Sequence, residues 1–479
     1  MADIDRNEIQ GLLRTAYPDS RFAAYHLLEI VDGPAARRWL ASIQGIVSYA
    51  SESEDADRQL NIAFSAAGLE KLGLPENAMQ TFPGAFREGM SREHRANILG
   101  DIGQSAPQRW DWGGTSSAER HATRLHVLLL AFAHTQQGLD ALAKTLNAGM
   151  GGALVALPGS PLPARVFDSE NNFEHFGFRD GISQPLVKGL HDRAGPALAV
   201  PTAYPNVVEP GEFILGYKNA QGLLPPTPSV ACGADPSGKL TREAPGMPGR
   251  RDLGRNSSFL VFRHLAQDVP AFWNYVHGAC PGGTPREVGA CEPLAAKMIG
   301  RWRNGSPLVE AWAAPDASRE QSNNFSYRDA DAAGLRCPVG AHIRRAGPRD
   351  SFGETKQAGL ESTALHRLIR RGRGYGEALG DDAKFSGDQA NRGLYFICLN
   401  ASIERQFEFV QHTWINGSKV GDLYDERDPV AGNPSGEGRF SIPRVPMRTV
   451  LEGIPSFITV KGGGYFFLPG RQALAFLGA

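Results

Sequence analysis

Four stretches of this chain follow one order of events, and that order restricts the fold more than any other feature. "FAAYHLLEIV" (Phe22–Val31), "TRLHVLLLAFA" (Thr123–Ala133), "SSFLVFRHL" (Ser257–Leu265) and "GLYFICLNA" (Gly393–Ala401) are strand-like, rich in aliphatic and aromatic residues. Each runs within a few residues into a segment with helical spacing: "AARRWLASI", "QQGLDALAKTL", "VPAFWNYVHGA" and "IERQFEFVQHTW". A strand feeding a helix, twice in each half, predicts an α+β protein. Its two domains are expected to be ferredoxin-like (split βαβ), with antiparallel sheets and peripheral helices. A chain of 479 residues with 41% hydrophobic content has the apolar mass for two such cores. The expected boundaries are an N-terminal domain over 1–190, a Pro/Gly-rich connection over 191–255 and a C-terminal domain over 256–479. Within the connection, "EFILGY" (Glu212–Tyr217) reads as a short strand.

Bulk properties narrow the function. The net charge is −1, which argues against a nucleic-acid footprint. The five cysteines (Cys232, Cys280, Cys291, Cys337, Cys398) are odd in number and scattered, with no C-x-x-C pair. That argues for a reducing compartment and against a disulfide framework, and the lack of C-x-x-C-H excludes the usual covalent c-type haem attachment. The first twenty residues carry no basic segment followed by an apolar one, and "LHVLLLAFA" is too short to span a bilayer. The expectation is a cytoplasmic protein, a monomer or homodimer, with no membrane partner.

Three motifs are decoys. "GADPSGKL" (Gly233–Leu240) nearly spells a phosphate-binding loop, but Leu240 replaces the required hydroxyl, and neither a preceding strand nor a following helix is expected. Glu404, Glu408 and His412 stand four apart on one expected helix, which suggests a metal-binding face. A di-iron site needs Glu-x-x-His and further carboxylates, so a solvated face or a single structural carboxylate is the better reading. "GGGYFFLPG" (Gly462–Gly470) reads as a strand entered through a tight backbone approach.

Two segments carry chemistry. "HFGFRDGISQP" (His175–Pro185) sets Arg179 and Asp180 among aromatics; taken alone, Asp-Gly is a common turn dipeptide. "RCPVGAHIRRAGPRD" (Arg336–Asp350) places His342 among small residues, with Arg344, Arg345 and Arg349 after it. Taken alone, such a histidine is more often structural than a ligand, although histidine is the usual axial ligand of haem iron in peroxidases and arginines pair well with haem propionates. Together the two segments resemble the dye-decolourising peroxidase family. "GFRDG" matches its G-x-x-D-G motif, "CPVGAHIRRAGPR" its proximal-histidine segment and "HRLIRRGRGYG" (His366–Gly376) the segment with its distal arginine. "GEFILGY", "GLYFICLNASIERQFEFVQ" and "FITVKGGGYFFLPG" resemble further family blocks, and the long central loops are most similar to the extended members.

The resemblance implies a hydrogen-peroxide-dependent oxidoreductase. It would carry haem b, bound non-covalently in a cavity mainly in the C-terminal half. It would oxidise dyes, phenols and other small aromatic one-electron donors through a ferryl intermediate. Asp180 and Arg370 become the catalytic pair, the aspartate moving the peroxide proton and the arginine offsetting negative charge on the departing oxygen. Arg371 is the alternative register for that arginine, and Arg179 becomes structural or a propionate neighbour. His342 becomes the iron ligand. Asp428, or alternatively Glu408, accepts its second N–H. Arg349 and Arg344 are expected at the propionates, with Gly181 and Ile182 beside the cofactor. The rival readings are a haem carrier, which would not need both Asp180 and Arg370, a related chlorite-using enzyme, against which the G-x-x-D-G aspartate argues, and iron release from haem, which the sequence leaves open.

Overall fold

The computed structural model describes residues 4–52, 57–116, 121–166, 172–191, 206–433 and 438–479. Part of the expected connection, 192–205, therefore lies outside the described residues. The first half contains β1 (Phe22–Ile30), β2 (Arg58–Phe64), β3 (Val127–Ala133), β4 (Leu154–Ala156) and β5 (Leu162–Arg165). Short pairs follow: β6 (Leu186–Val187) with β7 (Val207–Val208), and β8 (Ser229–Ala231) with β9 (Arg250–Asp252). The second half contains β10 (Ser258–Gln267), β11 (Ile369–Arg370), β12 (Arg373–Tyr375), β13 (Gly393–Asn400), the hairpin β14 (Gly438–Ile442) and β15 (Thr449–Ile454), and β16 (Ile458–Leu468).

Each half has the antiparallel ferredoxin-like order, with its first strand between its third and fourth. The orders are β2-β3-β1 with β4 and β5 on the far edge, and β16-β10-β13 with β11 and β12 on the far edge. The four expected strand-to-helix units are all present. Three of the helices begin on a capping side chain that accepts from the first turn: Asp32, Thr135 and Asp268. The fourth departs from the expected α-helix. Glu404–Glu408 and Val410–Ile415 are wound as π-helix, with Glu408 N–H donating to Ile403 O (2.9 Å) and Asn416 N–H to Gln411 O (3.0 Å).

Single bridges between Phe467 and Phe64 and between Gly374 and Arg165 join the two sheets at their edges. The described strands thus close into one ring, and period-two alternation sorts every side chain in or out. Tyr25 of β1 meets Phe262 of β10 and Tyr395 of β13 across the interior, at 5.5 and 5.7 Å between ring centroids. Their alternates Val261 and Cys398 belong to the outer core instead. The glycine run of β16 permits the tight approach expected of it: a Cβ at Gly462 would lie 2.5 Å from the Trp112 indole.

"EFILGY" is not a strand. Pro210–Glu212 is a 3-10 turn, Ile214 N–H folds back to Pro210 O (2.8 Å), and Gly216 at φ +84° turns the chain again. The phosphate-loop decoy does follow a short strand, β8, but Asp235 caps Lys239 and Leu240 with its own carboxylate, and no helix follows.

The aromatics of "HFGFRDG" anchor that loop to the second half. Phe176 and Phe178 are buried beside the helix Val269–Ala279, and Trp273 Nε1–H donates to Phe176 O (3.1 Å) while its ring stacks on Phe178. Glu174 accepts from Phe176 N–H, Phe178 N–H and Gln267 Nε2–H at 2.9–3.0 Å. Trp273→Ala is expected to cost about 3–5 kcal/mol of stability in urea unfolding, the range for a buried large-to-small change. Trp273→Phe, which keeps a ring there, is expected to cost clearly less.

Candidate active site

A cavity of about 340 Å³ lies between the outer faces of β10, β11 and β13, the Glu174–Pro185 loop and the helix that begins at His342. That size suits a cofactor or small molecule. Most of its wall comes from the second half, with Leu99–Asp101, Ser105 and Glu174–Pro185 added from the first.

His342 is the first residue of the short helix His342–Ala346. Its Nδ1 is 2.8 Å from Oδ2 of Asp428, leaving Nε2 for the cavity. Asp428 is fully buried, and its Oδ1 accepts from Val430 N–H (2.9 Å) and Ala431 N–H (2.8 Å). Burial works against a charged imidazole, but the Asp428 carboxylate, by charge and by hydrogen bond, raises the His342 pKa above its ordinary value. Burial likewise works against the Asp428 carboxylate, and His342, the Ala431 N–H and Arg345 hold its pKa below the usual range. Glu408, the alternative partner, is elsewhere: it accepts from Tyr465 Oη–H (2.8 Å) and pairs with Arg95 (2.6 Å).

The second polar group is Asp180 with Arg370. Arg370 Nη2 is 3.2 Å from Asp180 Oδ1, which also accepts from Gly181 N–H at 2.6 Å. Gly181 holds φ +81°, a turn conformation that favours glycine. Both members of the pair act electrostatically on His342. Strand alternation decides between the two arginines. On β11, Ile369 enters the ring interior and Arg370 faces the cavity, opposite Cys398 of β13 in the register. Arg371 turns to the other side and donates to Leu12 O (2.7 Å), Leu13 O (3.0 Å) and Arg14 O (3.3 Å). Arg370 Nε is buried without a hydrogen-bond partner.

Of the remaining candidates, Gly181, Ile182, Arg179 and Arg349 line the cavity. Arg349 donates to Asn323 O (2.8 Å) and lies over the Phe325 ring, while Arg179 pairs with Glu320 at 2.8 Å. Arg344 does not reach the cavity. It donates to Asp331 O (3.0 Å) and Cys337 O (2.9 Å), and its guanidinium covers the Tyr327 ring. The Glu404, Glu408 and His412 set does not converge: Glu404 accepts from Ala85 N–H and His412 bonds Ile98 O, because π winding spoils the four-residue alignment. Sequence reasoning missed Leu394 and Phe396, which face the cavity from alternate positions of "GLYFICLN". It also missed the buried Arg263–Asp101 ion pair on the wall, whose members lie 162 residues apart and carry no local signal.

No protein-family model matches the chain. The chain is 27% identical over 490 residues to the dye-decolorizing peroxidase AauDyP1 of Auricularia auricula-judae, covering 98% of this chain and 86% of that one. A crystal structure of a decolorizing peroxidase from Auricularia auricula-judae superposes with a TM-score of 0.79 at 25% identity, over 99% of this chain and 100% of that one.

Over nearly its whole length the chain is similar to dye-decolourising peroxidases in sequence and in fold.

A further relative, the multifunctional dye peroxidase DyP2 of an Amycolatopsis strain, is 31% identical over 331 residues, 64% of this chain and 61% of that one. An ancestral D-type dye-decolourising peroxidase structure matches with a TM-score of 0.77 at 25% identity over 99% of both chains. No helix among the described residues is long and apolar enough to cross a membrane.

The division of labour between the two arginines gives a stability prediction. Arg371→Ala leaves buried carbonyls bare and is expected to cost about 2–3 kcal/mol. Arg370→Ala, which removes a side chain with an unsatisfied buried N–H, is expected to lie within about 0.5 kcal/mol of wild type. Urea unfolding of both variants checks the contrast.

Proposed function

We propose that this protein reduces hydrogen peroxide and oxidises dyes, phenols and other small aromatic donors, using haem b bound non-covalently with His342 as the iron ligand. The observation that carries this reading is the convergence of His342–Asp428 and Asp180–Arg370 on one cavity. The residues fit the group. An imidazole backed by a carboxylate is a good iron ligand, Leu394, Phe396 and Val430 supply apolar wall, and Arg370 Nε is a buried donor awaiting an acceptor. The haem-carrier reading gains nothing from the Asp180–Arg370 pair, whereas the peroxidase needs it.

Bound haem supplies the redox centre at which peroxide is reduced and from which donors are oxidised. Within the protein, Asp428 fixes the His342 ring and directs Nε2 into the cavity. Asp180 Oδ1 is occupied by Gly181 N–H and Arg370, so Oδ2 is the atom free to take a proton from one peroxide oxygen and return it to the other. The Arg370 charge offsets negative charge on the departing oxygen. Arg349 is the cavity cation assigned to a propionate. Residues 1–190 and 256–479 are read as the two domains, joined through 191–255; the ferredoxin-like order repeated in each half supports this. The free cysteines support a reducing, cytoplasmic setting, and a monomer or homodimer is the assembly assigned.

Acid–acetone treatment is expected to extract the pigment, and His342→Ala is expected to lose the high-spin ferric spectrum together with peroxide-dependent dye oxidation. An unchanged spectrum in that variant would refute His342 as ligand. Asp428→Asn is expected to raise the haem reduction potential by weakening electron donation from His342. Glu408→Gln is expected to leave the potential unchanged, and spectroelectrochemical titration compares the two.

A further inference from the structure

The loop that carries Asp180 is gripped by a turn that the proposed chemistry does not use. Residues 301–307 form that turn. Arg301 and Pro307 pair as a β-bridge, Trp302 N–H donates to Ser306 O (3.0 Å), and Gly305 N–H donates to Trp302 O (2.9 Å). Its tip lies against the loop. A Cβ at Gly305, where φ is +101°, would come 2.7 Å from Ile182 and 3.1 Å from Arg179. Arg303 takes hold at two points. Its backbone O accepts from Arg179 N–H (3.1 Å), and its Nε–H donates to Gly177 O (3.1 Å).

Arg303 is itself held. Its two Nη groups donate to the two carboxylate oxygens of Asp381, each at 2.8 Å, and its backbone N–H donates to Glu292 Oε1 (2.9 Å). Asp381 opens the 3-10 turn Asp381–Ala383, between β12 and β13, and also accepts from Lys384 Nζ (2.9 Å). A forked pair of this kind fixes the plane of the guanidinium as well as its place, and so aims Nε at Gly177. The point it pins is the pivot of the loop. Gly177 holds φ +93°, a conformation open to glycine, three residues before Asp180. Further along, Asp180 N–H donates to Asn172 O (3.0 Å) and Asn172 Nδ2–H donates to Asp180 O (3.2 Å). The backbone that carries the carboxylate is clasped between Asn172 and Arg303.

We propose that Arg303, oriented by Asp381, is a positioning residue for Asp180: by holding Gly177 and Arg179 it fixes the loop and so sets the place of the Asp180 carboxylate beside Arg370. The role given to Asp180 rests on the peroxidase reading, whereas the grip on the loop does not. The Asp180 side chain is 42% exposed, so its place is set by the backbone more than by packing around it. A shift of about 1 Å in a reacting group can cost on the order of 100-fold in rate, so a carboxylate placed in this way needs a fixed loop. Arg303→Ala keeps the backbone acceptor for Arg179 and removes the hold on Gly177, which isolates the contribution of the side chain.

The test uses the haem-loaded full chain. Hydrogen–deuterium exchange, followed by mass spectrometry of the peptide spanning 174–185, reads the loop without turnover, and stopped-flow mixing with hydrogen peroxide reads the first reaction step. Arg303→Ala is expected to speed exchange in that peptide by about 5-fold, the scale of one lost hydrogen bond, and to slow the peroxide reaction by about 10- to 100-fold. Asp381→Asn, at a side chain that is half-exposed and outside the core, is expected to move both in the same direction by less. In an Asp180→Asn background, Arg303→Ala is expected to cost no further rate, because it acts through that carboxylate; general damage to the fold would cost as much there as in wild type. An exchange profile or a peroxide rate unchanged in both Arg303→Ala and Asp381→Asn would overturn the proposal, as would a full loss persisting in Asp180→Asn. A haem-loaded wild type that does not react with peroxide would instead fail the peroxidase reading, and the exchange comparison would still decide the grip on the loop.

Discussion

The site depends on the pairing of β10 with β13 in a ring of strands. Because side chains alternate with period two, each residue of these strands either fills the ring interior or faces outward, to the outer core or to the cavity. Tyr395 and Ile397 go inward, and Leu394, Phe396 and Cys398 go outward. β11 is only two residues long, yet its pairing with β13 sends Arg370 to the cavity and leaves the next arginine to bind the N-terminal segment. A one-residue slip would exchange the two.

Against this wall the chain sets two charged pairs that differ in burial. Asp428 is sealed from solvent and holds His342 through a short hydrogen bond, with two backbone N–H groups on its other oxygen. That arrangement fixes the ring and makes its free nitrogen a stronger donor. Asp180 and Arg370 remain 42% and 31% exposed at the side chain, within reach of a small molecule entering the cavity. A buried, fixed partner suits a ligand to iron, and an accessible carboxylate suits proton transfer. The aromatics around Arg179 and Asp180 exist to pin their loop to Trp273.

Much of this was legible in the sequence because the signals were local. The strand-to-helix units announced themselves by a change of period, and "GFRDG", "AHIRR" and "IRRGRGYG" placed Asp180, His342 and Arg370 within short motifs. Where long-range contacts decided the outcome, the reading faltered. Arg344 sits in the same motif as His342 but turns to Asp331 and Cys337, and only the packed helix shows which way each side chain points. "EFILGY" has strand composition but folds into turns, with the buried Glu212 paired to Arg405 from a segment distant in the sequence. The π winding of Glu404–Ile415 defeats an argument built on four-residue spacing.

The central claim is that strand register selects Arg370 over Arg371 as the cation that serves peroxide cleavage. Stopped-flow mixing of the haem-loaded protein with hydrogen peroxide, in Arg370→Leu and Arg371→Leu variants at equal haem content, tests it most directly. The account predicts a peroxide reaction slowed by about 100-fold or more in Arg370→Leu, and a rate per haem close to wild type in Arg371→Leu. A near-wild-type rate in Arg370→Leu with a collapse in Arg371→Leu would contradict it.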